Sequence, residues 1–127
     1  MINSPTIPSA PNMSLRDPQS KLLDAQRIAA TLGVSPARAA RMLGVAPSTV
    51  SRNPDSNRIQ ARAATIEAIL QNLHAAFGDY DAAVAWLKTP SEFWGKGNPT
   101  ALDLIEQGRA QEVLAAAVMV RRGEPFA

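Results

Sequence analysis

Residues 58–77 read RIQARAATIEAILQNLHAAF, and this stretch carries the strongest hydrophobic periodicity of the chain. Its apolar residues recur at spacings of 4, 3, 4, 3 and 4, at Ile59, Ala63, Ile66, Leu70, Leu73 and Phe77. This spacing places all of them on one face of an α-helix. We therefore predict a long central helix over residues 58–77 whose apolar face packs against the rest of the fold.

The segments on either side of this helix also show helical patterns with clear start and stop signals. Ser35-Pro36 is a typical helix start, with the serine as N-cap and the proline in the first helical position. Glycines end several of the patterns, and Pro54 ends another because the residue before a proline is disfavoured in the α conformation. The further helices that the sequence predicts are 19–32, 36–43, 48–52, 80–87, 101–107 and 109–120. No segment alternates with period two, so the predicted fold class is all-α.

Composition excludes several classes of function. The chain has no cysteine, which excludes disulfides, thiolate zinc sites and a cysteine nucleophile. The single histidine, His74, has no metal-ligating residue at helical spacing, and we interpret it as a residue at the boundary of the core. The carboxylates are scattered and no phosphate-binding glycine loop occurs. We therefore expect neither an enzyme nor a cofactor or metal site, and the N-terminus, without a signal sequence, indicates a soluble cytoplasmic protein that does not enter the membrane.

The net charge of +2 is unevenly distributed along the chain. Residues 1–60 hold seven Lys and Arg against three Asp and Glu, whereas residues 61–127 hold six against eight. A basic N-terminal half suggests a polyanionic partner, although ordinary solvated surface has the same composition. Charge alone does not decide between the two.

Residues 36–52, PARAARMLGVAPSTVSR, match the pattern of a helix-turn-helix. Such a motif needs a small residue where the helices cross, a glycine in the turn, and apolar residues after the turn and within the second helix. Ala40, Gly44, Val45 and Val50 occupy these places. The candidate DNA-binding residues are Ser48, Thr49, Ser51 and Arg52. An αα-hairpin that serves only packing fits the pattern about as well, and Asn53-Pro54 makes the second helix unusually short.

The region from Trp86 to the C-terminus carries a second pattern. A helix that contains Trp86 is followed by Pro90, Trp94 and residues 98–123, NPTALDLIEQGRAQEVLAAAVMVRRG. Both tryptophans are interpreted as core residues. Over residues 20–127 the chain resembles the Xre/MbcA/ParS antitoxins, in which a toxin-binding domain follows a helix-turn-helix. In family members, the asparagine of this pattern is followed by a proline and a large apolar residue. In this chain, Asn98 is followed by Pro99, Thr100 and Ala101.

The resemblance implies a partner, namely a RES-domain toxin that consumes NAD. In the family, the C-terminal end of the antitoxin reaches into the active-site cleft of the toxin. By position this toxin-binding role falls on Arg121, Arg122, Gly123, Glu124, Pro125 and Phe126. The two arginines are also explained as cations that offset the dipole at the end of a helix, and both explanations can hold together.

These observations predict three regions, which are a flexible Pro-rich tail at 1–18, an Xre-like helix-turn-helix region at 19–57, and a C-terminal toxin-binding domain at 58–127. The expected protein is a type II antitoxin that also represses its own operon, binds operator DNA and forms a homodimer within the toxin complex. The alternative function is a stand-alone helix-turn-helix regulator whose C-terminal lobe only dimerises. The presence of a RES-like reading frame beside the gene distinguishes the two.

Overall fold

The computed structural model describes residues 14–124, and within this range the chain is all-α, as predicted. The α-helices are α1 (Ala25–Leu32), α2 (Pro36–Leu43), α3 (Pro47–Arg52), α4 (Gln60–Phe77), α5 (Tyr80–Lys88), α6 (Ala101–Glu106) and α7 (Ala110–Arg121). Two short 3-10 helices, Asn57–Ile59 and Glu92–Trp94, precede α4 and α6. The one contact of β type among these residues is a single antiparallel bridge between Arg16 and Leu23.

Local capping interactions explain most of the helix boundaries. At the start of α2, the Ser35 side chain accepts a hydrogen bond from the backbone of Arg38, and Pro36 follows it as predicted. At the start of α6, Thr100 and Asp103 form a reciprocal capping box. Gly44 ends α2 with a φ of 72°, a left-handed conformation that glycine adopts without strain. The predicted bounds of α2 and the predicted start of α6 are therefore confirmed, while α6 ends at Glu106, one residue before its predicted end.

The predicted start of the first helix at residue 19 is wrong. Helix α1 begins at Ala25, where the Asp24 side chain accepts hydrogen bonds from the backbone of Gln26 and Arg27. Lys21 has a φ of 66°, which is incompatible with a continuous helix before this point. The apolar pair at positions 22 and 23 precedes the helix, where Leu23 forms the bridge with Arg16 and is buried, while Leu22 is 36% exposed.

Helix α4 is the centre of the packing, as its periodicity predicts. Its buried residues are Ala63, Ile66, Ile69, Leu70 and Leu73, and the helix that it contacts most extensively is α7. Two details of the predicted face are wrong. Ile69 is fully buried although the 4-3-4-3-4 pattern leaves it out, and Phe77 is 41% exposed because it is the last residue of the helix.

Helices α4 and α7 run in the same direction. Near its start, α7 donates a hydrogen bond from Gln111 Nε2 to Thr65 Oγ1 of α4, over 3.3 Å. Near its end, Arg121 Nε donates to Asn72 Oδ1. The C-terminal end of α7 therefore lies beside the C-terminal half of α4.

The predicted flexible tail at 1–18 is too long. Residues 1–13 lie outside the described residues, but Leu15 is only 3% exposed and belongs to the core. Its carbonyl accepts a hydrogen bond from the Asp24 backbone over 2.8 Å. Arg16 forms a two-point ion pair with Glu67 of α4, with distances of 2.9 and 3.1 Å. Residues 15–18 therefore belong to the folded part of the chain.

The buried side chains form one cluster that extends from Leu15 to Ala117. It runs through both predicted regions, 19–57 and 58–127, and the boundary between them stays a prediction. Gln60 also joins the two, because its side-chain amide accepts from the Leu23 backbone N–H and donates to the Leu23 carbonyl. The α1–α3 region is thus packed directly onto α4.

A group of charged side chains connects α2 to α6. Arg38 Nη2 lies 2.9 Å from Asp103 Oδ1, and Arg38 Nε also pairs with Glu106. Arg41 Nε lies 3.0 Å from the other oxygen of Glu106. Partial burial by itself would raise the pKa of Glu106, but hydrogen bonds from Arg41 and Arg38 outweigh it and lower that pKa. The pKa of Asp103 is lowered first by its bond from the Thr100 backbone and further by Arg38.

These lowered pKa values predict how stability depends on pH. A carboxylate whose pKa is lower in the folded state stabilises the protein fully above its unfolded pKa, and the contribution is lost as the pH falls through the folded value. For Glu106 the unfolded value is 4.5, so the loss begins as the pH falls below it. We expect Glu106→Gln to lower the melting temperature at pH 7 and to reduce its further decrease between pH 5 and pH 3.

Thermal melts across this pH range test the expectation. Glu92→Gln is the control, because Glu92 forms no ion pair with any residue of the 14–124 range. Identical melting curves for Glu106→Gln and the unmodified protein at every pH would show that the α2–α6 ion pairs contribute nothing to stability.

Candidate functional site

The four positions of the predicted helix-turn-helix pattern lie in α2, in α3 and in the turn between them. Ala40 and Val50 are each 1% exposed and lie in the core. Gly44 forms the left-handed end of α2, and Val45 packs partly buried against the core. Helix α2 contacts both α1 and α3. The same four contacts suit a packing hairpin, so the use of this motif for DNA binding stays a prediction.

The predicted DNA-binding residues lie on the short helix α3. Ser48, Ser51 and Arg52 are exposed and Thr49 is half-buried. Ser51 Oγ donates to the Ser48 carbonyl over 3.1 Å, which leaves the hydroxyl of Ser48 as the freer donor. The helix ends at Arg52, as Pro54 predicts. Gln26 of α1 fixes this end of α3, because its Nε2 donates to the Val50 carbonyl over 3.0 Å.

Three arginines around α3 and the start of α4 lack a carboxylate partner. Arg52, Arg58 and Arg62 are all exposed, and none forms an ion pair with any carboxylate in the described range. Arg58 and Arg62 were not among the predicted site residues. Arg58 and Arg62 are four residues apart at the start of the central helix. This spacing is the signal in the sequence that predicts that the two side chains are neighbours on the helix surface.

The predicted toxin-binding residues follow the end of α7. Gly123 has a φ of 73°, and its N–H donates to the Val120 carbonyl over 3.0 Å. The N–H of Glu124 donates to the Met119 carbonyl over 2.9 Å, and together these bonds form a Schellman cap. Arg122 Nη1 lies 3.9 Å from Glu124 Oε2. Pro125 and Phe126, the other two predicted residues, lie outside the described residues.

Arg121 and Arg122 differ in their surroundings. Both are exposed, but Arg121 is hydrogen bonded to Asn72 of α4, whereas Arg122 pairs only with its neighbour Glu124 among the described residues. Arg121 therefore contributes to the contact between α7 and α4 in addition to any role in binding. The position of both arginines at the end of α7 also suits cations that offset the helix dipole.

The two candidate surfaces lie toward opposite ends of α4. Arg62, in the first turn of α4, approaches the α2–α3 turn, and Asn72 contacts Arg121 at the end of α7. At a rise of 1.5 Å per residue, the ten residues between them span about 15 Å. A partner that covers one surface therefore need not cover the other.

The aromatic residues of the C-terminal region pack with one another. Trp86 and Trp94 meet edge to face with ring centroids 5.8 Å apart, and Phe93 packs on Trp94 at 4.9 Å. Trp94 is 7% exposed, which confirms its prediction as a core residue. His74 stacks on Tyr80 at 4.0 Å.

In the 14–124 range, no group of three or more His, Cys, Asp or Glu side chains is placed to hold a metal ion. None of the helices between residues 14 and 124 is both long and apolar enough to cross a membrane.

Comparison with known proteins identifies a structural relative. No protein-family profile matches the sequence, and no curated protein matches it. A chain in the crystal structure of the M. tuberculosis MbcT–MbcA toxin–antitoxin complex has the same fold, with a TM-score of 0.56 at 18% sequence identity. The match covers 78% of this chain and 91% of that chain. The resemblance noted in the sequence is thus confirmed at the level of the fold.

Proposed function

We propose that this protein is a non-enzymatic antitoxin of the Xre/MbcA/ParS type, which binds and neutralises a RES-domain toxin that consumes NAD. The observation that carries the proposal is the fold shared with a chain of a toxin–antitoxin complex, over most of both chains. The sequence pattern of residues 86–123 supports the same assignment. Such a protein acts in the cytoplasm beside its toxin.

The proposed neutralising element is the C-terminal end, from Arg121 to Phe126. The Schellman cap directs the chain away from the axis of α7 at Gly123, and Arg121, Arg122 and Glu124 are exposed there. Guanidinium groups make strong, charge-assisted hydrogen bonds with carboxylates. An aromatic ring at the end of such a segment supplies the apolar contact that a cleft for a dinucleotide can bury.

Co-expression with the product of the neighbouring gene tests the proposal. If that gene encodes a RES-domain protein, we expect a tagged copy of this chain to retain it through purification and to protect cells from loss of NAD. Lack of both retention and protection, with each protein folded when expressed alone, would contradict the antitoxin assignment.

A second proposed function is repression of its own operon through DNA binding, and the three arginines without a carboxylate partner favour it. All three are exposed and lie on α3 or close to it, and Arg52 and Arg58 belong to residues 1–60, the part of the chain with an excess of positive charge. We further propose that the protein acts as a homodimer in the complex, which would present two such surfaces to two half-sites. The stand-alone regulator remains the alternative, and it requires the DNA binding without the toxin.

For this second function, Arg52→Ala is expected to weaken binding to promoter DNA by about 1–3 kcal/mol if the guanidinium contacts a base. Titration of the DNA upstream of the gene, at two salt concentrations, measures the effect. Lys96→Ala is the matched control, since it removes one exposed positive charge from the C-terminal region. Equal losses for the two variants would assign the effect to net charge and remove Arg52 from the base contacts.

A further inference from the structure

Arg62 occupies an unusual place on the surface of α4. Its guanidinium lies against the backbone of Gly44, at the turn between α2 and α3. A Cβ atom on Gly44 would lie 2.7 Å from Arg62 Nη1 and 2.9 Å from its Cζ, closer than such atoms approach each other. The absence of a side chain at Gly44 therefore gives the guanidinium its space, in addition to allowing the left-handed φ of this glycine.

The hydrogen-bond donors of Arg62 are not used within the described residues. Arg62 is exposed, and neither an ion pair nor a hydrogen bond connects its guanidinium to another residue between 14 and 124. An arginine carries five N–H donors in a planar arrangement that matches the oxygens of a phosphate. Here those donors are held near the protein surface by a rigid helix and remain available to a ligand.

Arg41 provides an internal comparison at the same turn. It lies in the last turn of α2, three residues before Gly44, and its side chain is 60% exposed. Its guanidinium, however, is paired with Glu106 of α6 at 3.0 Å. Of these two arginines, only Arg62 therefore presents a positive charge without a carboxylate beside it.

We propose that Arg62 is a phosphate-binding residue of the DNA interface, and that it holds the DNA backbone beside the N-terminal end of α3. The proposal rests on the DNA-binding function proposed above. Helix α3 begins at Pro47, three residues after Gly44, so the guanidinium lies against the turn that leads into the helix carrying Ser48 and Thr49. A contact with phosphate fixes the position of the recognition helix and carries no sequence information of its own.

The experiment compares Arg62→Ala with Arg41→Ala, which removes the same charge from the same turn. Binding is measured to the promoter duplex and to a duplex of arbitrary sequence, between about 50 and 200 mM salt. For Arg62→Ala we expect a several-fold weaker affinity for both duplexes and a salt slope smaller by about 1. For Arg41→Ala we expect an unchanged slope. Arg62→Lys keeps the charge and should retain most of the slope.

The possible outcomes separate this inference from the function on which it rests. If the unmodified protein binds neither duplex, the DNA-binding function itself is wrong and the role of Arg62 is lost with it. If the unmodified protein binds and Arg62→Ala binds equally well, only the role of Arg62 is wrong. Equal losses of affinity and slope for Arg62→Ala and Arg41→Ala overturn it as well, because they indicate general electrostatic attraction. Melting temperatures of both variants verify that each is folded.

Discussion

Under the antitoxin function proposed above, a chain that ends at Glu124 is expected to fold normally and to lose most of the protection that the full chain gives against the toxin. The hydrogen bonds that cap α7 are made by the backbone of Arg122, Gly123 and Glu124, so removal of residues 125–127 leaves the cap intact. We therefore expect a nearly unchanged melting temperature. A truncation before Glu124 would break the bond to Met119 and would mix an effect on folding with an effect on binding.

Single substitutions should locate the effect within the segment. Burial of the Phe126 ring in a pocket of the toxin would supply roughly 1.5–3 kcal/mol, so Phe126→Ala should weaken inhibition by about 10- to 150-fold. Glu124→Ala is the comparison within the same segment: it keeps the backbone N–H that caps α7, and we expect it to impair inhibition less than Phe126→Ala does. The assay is the NAD content of cells that express the toxin with each variant.

Full protection by the truncated chain would contradict the assignment. Inhibition would then have to come from the helices, for example from the exposed part of α7. Loss of protection together with a lower melting temperature would instead indicate that residues 125–127 contribute to the fold, and the C-terminal segment would not be a dedicated inhibitory element.

The largest expected loss of stability comes from Leu70→Ala. Leu70 is 3% exposed on the buried face of α4, the helix around which the others pack. Truncation of a buried leucine removes its burial energy and leaves a cavity, which together cost about 2–5 kcal/mol. Such a loss is a large fraction of the total stability of a domain of this size.

Urea unfolding measures this loss, with Gln71→Ala as the control. Gln71 is the next residue of α4 and is exposed, so its substitution should change the free energy of unfolding by no more than about 0.5 kcal/mol. A loss below about 1 kcal/mol for Leu70→Ala would mean that the surrounding side chains close the cavity, and that α4 is less rigidly packed than its buried residues indicate.

Helix ends were predictable where a single residue type determines the backbone conformation. Gly44 and Gly123 end their helices in the left-handed conformation, which glycine alone adopts without cost, and Ser35 and Thr100 cap the following helices through their own side chains. The start of α1 was not predictable in this way. Asp24 is positioned by a hydrogen bond to Leu15, which is distant from the helix and invisible to a helical pattern.

The buried face of α4 was likewise predictable only in part. The spacing of apolar residues identifies the helix and most of its buried side, because the period of 3.6 residues is a property of the helix itself. Whether Ile69 is buried depends on which elements pack against α4, and whether Phe77 is buried depends on what lies beyond the end of α4. Neither is encoded in the local pattern.

The candidate sites were predictable to different degrees. The helix-turn-helix pattern specifies which positions of the second helix are exposed, and this identified Ser48, Ser51 and Arg52. All three are exposed in the structure. Arg62 could not, because its place beside Gly44 is created by the packing of α4 against the α2–α3 turn. The pairing of Arg41 with Glu106 likewise joins residues 65 positions apart, and only the folded chain distinguishes these two arginines.

The separation of about 15 Å along α4 has a genetic consequence. Substitutions more than about 7–10 Å apart that share no partner usually have additive effects on free energy. A change at Arg62 and a change at Arg121, which contacts Asn72, should therefore combine without interaction, and each should leave the other proposed activity at its normal level. Under the two proposed functions, selection can then change the operator bound at one surface without changing the toxin bound at the other, and the reverse. We therefore expect related operons to differ in one partner at a time, because α4 is long enough to keep the two surfaces independent.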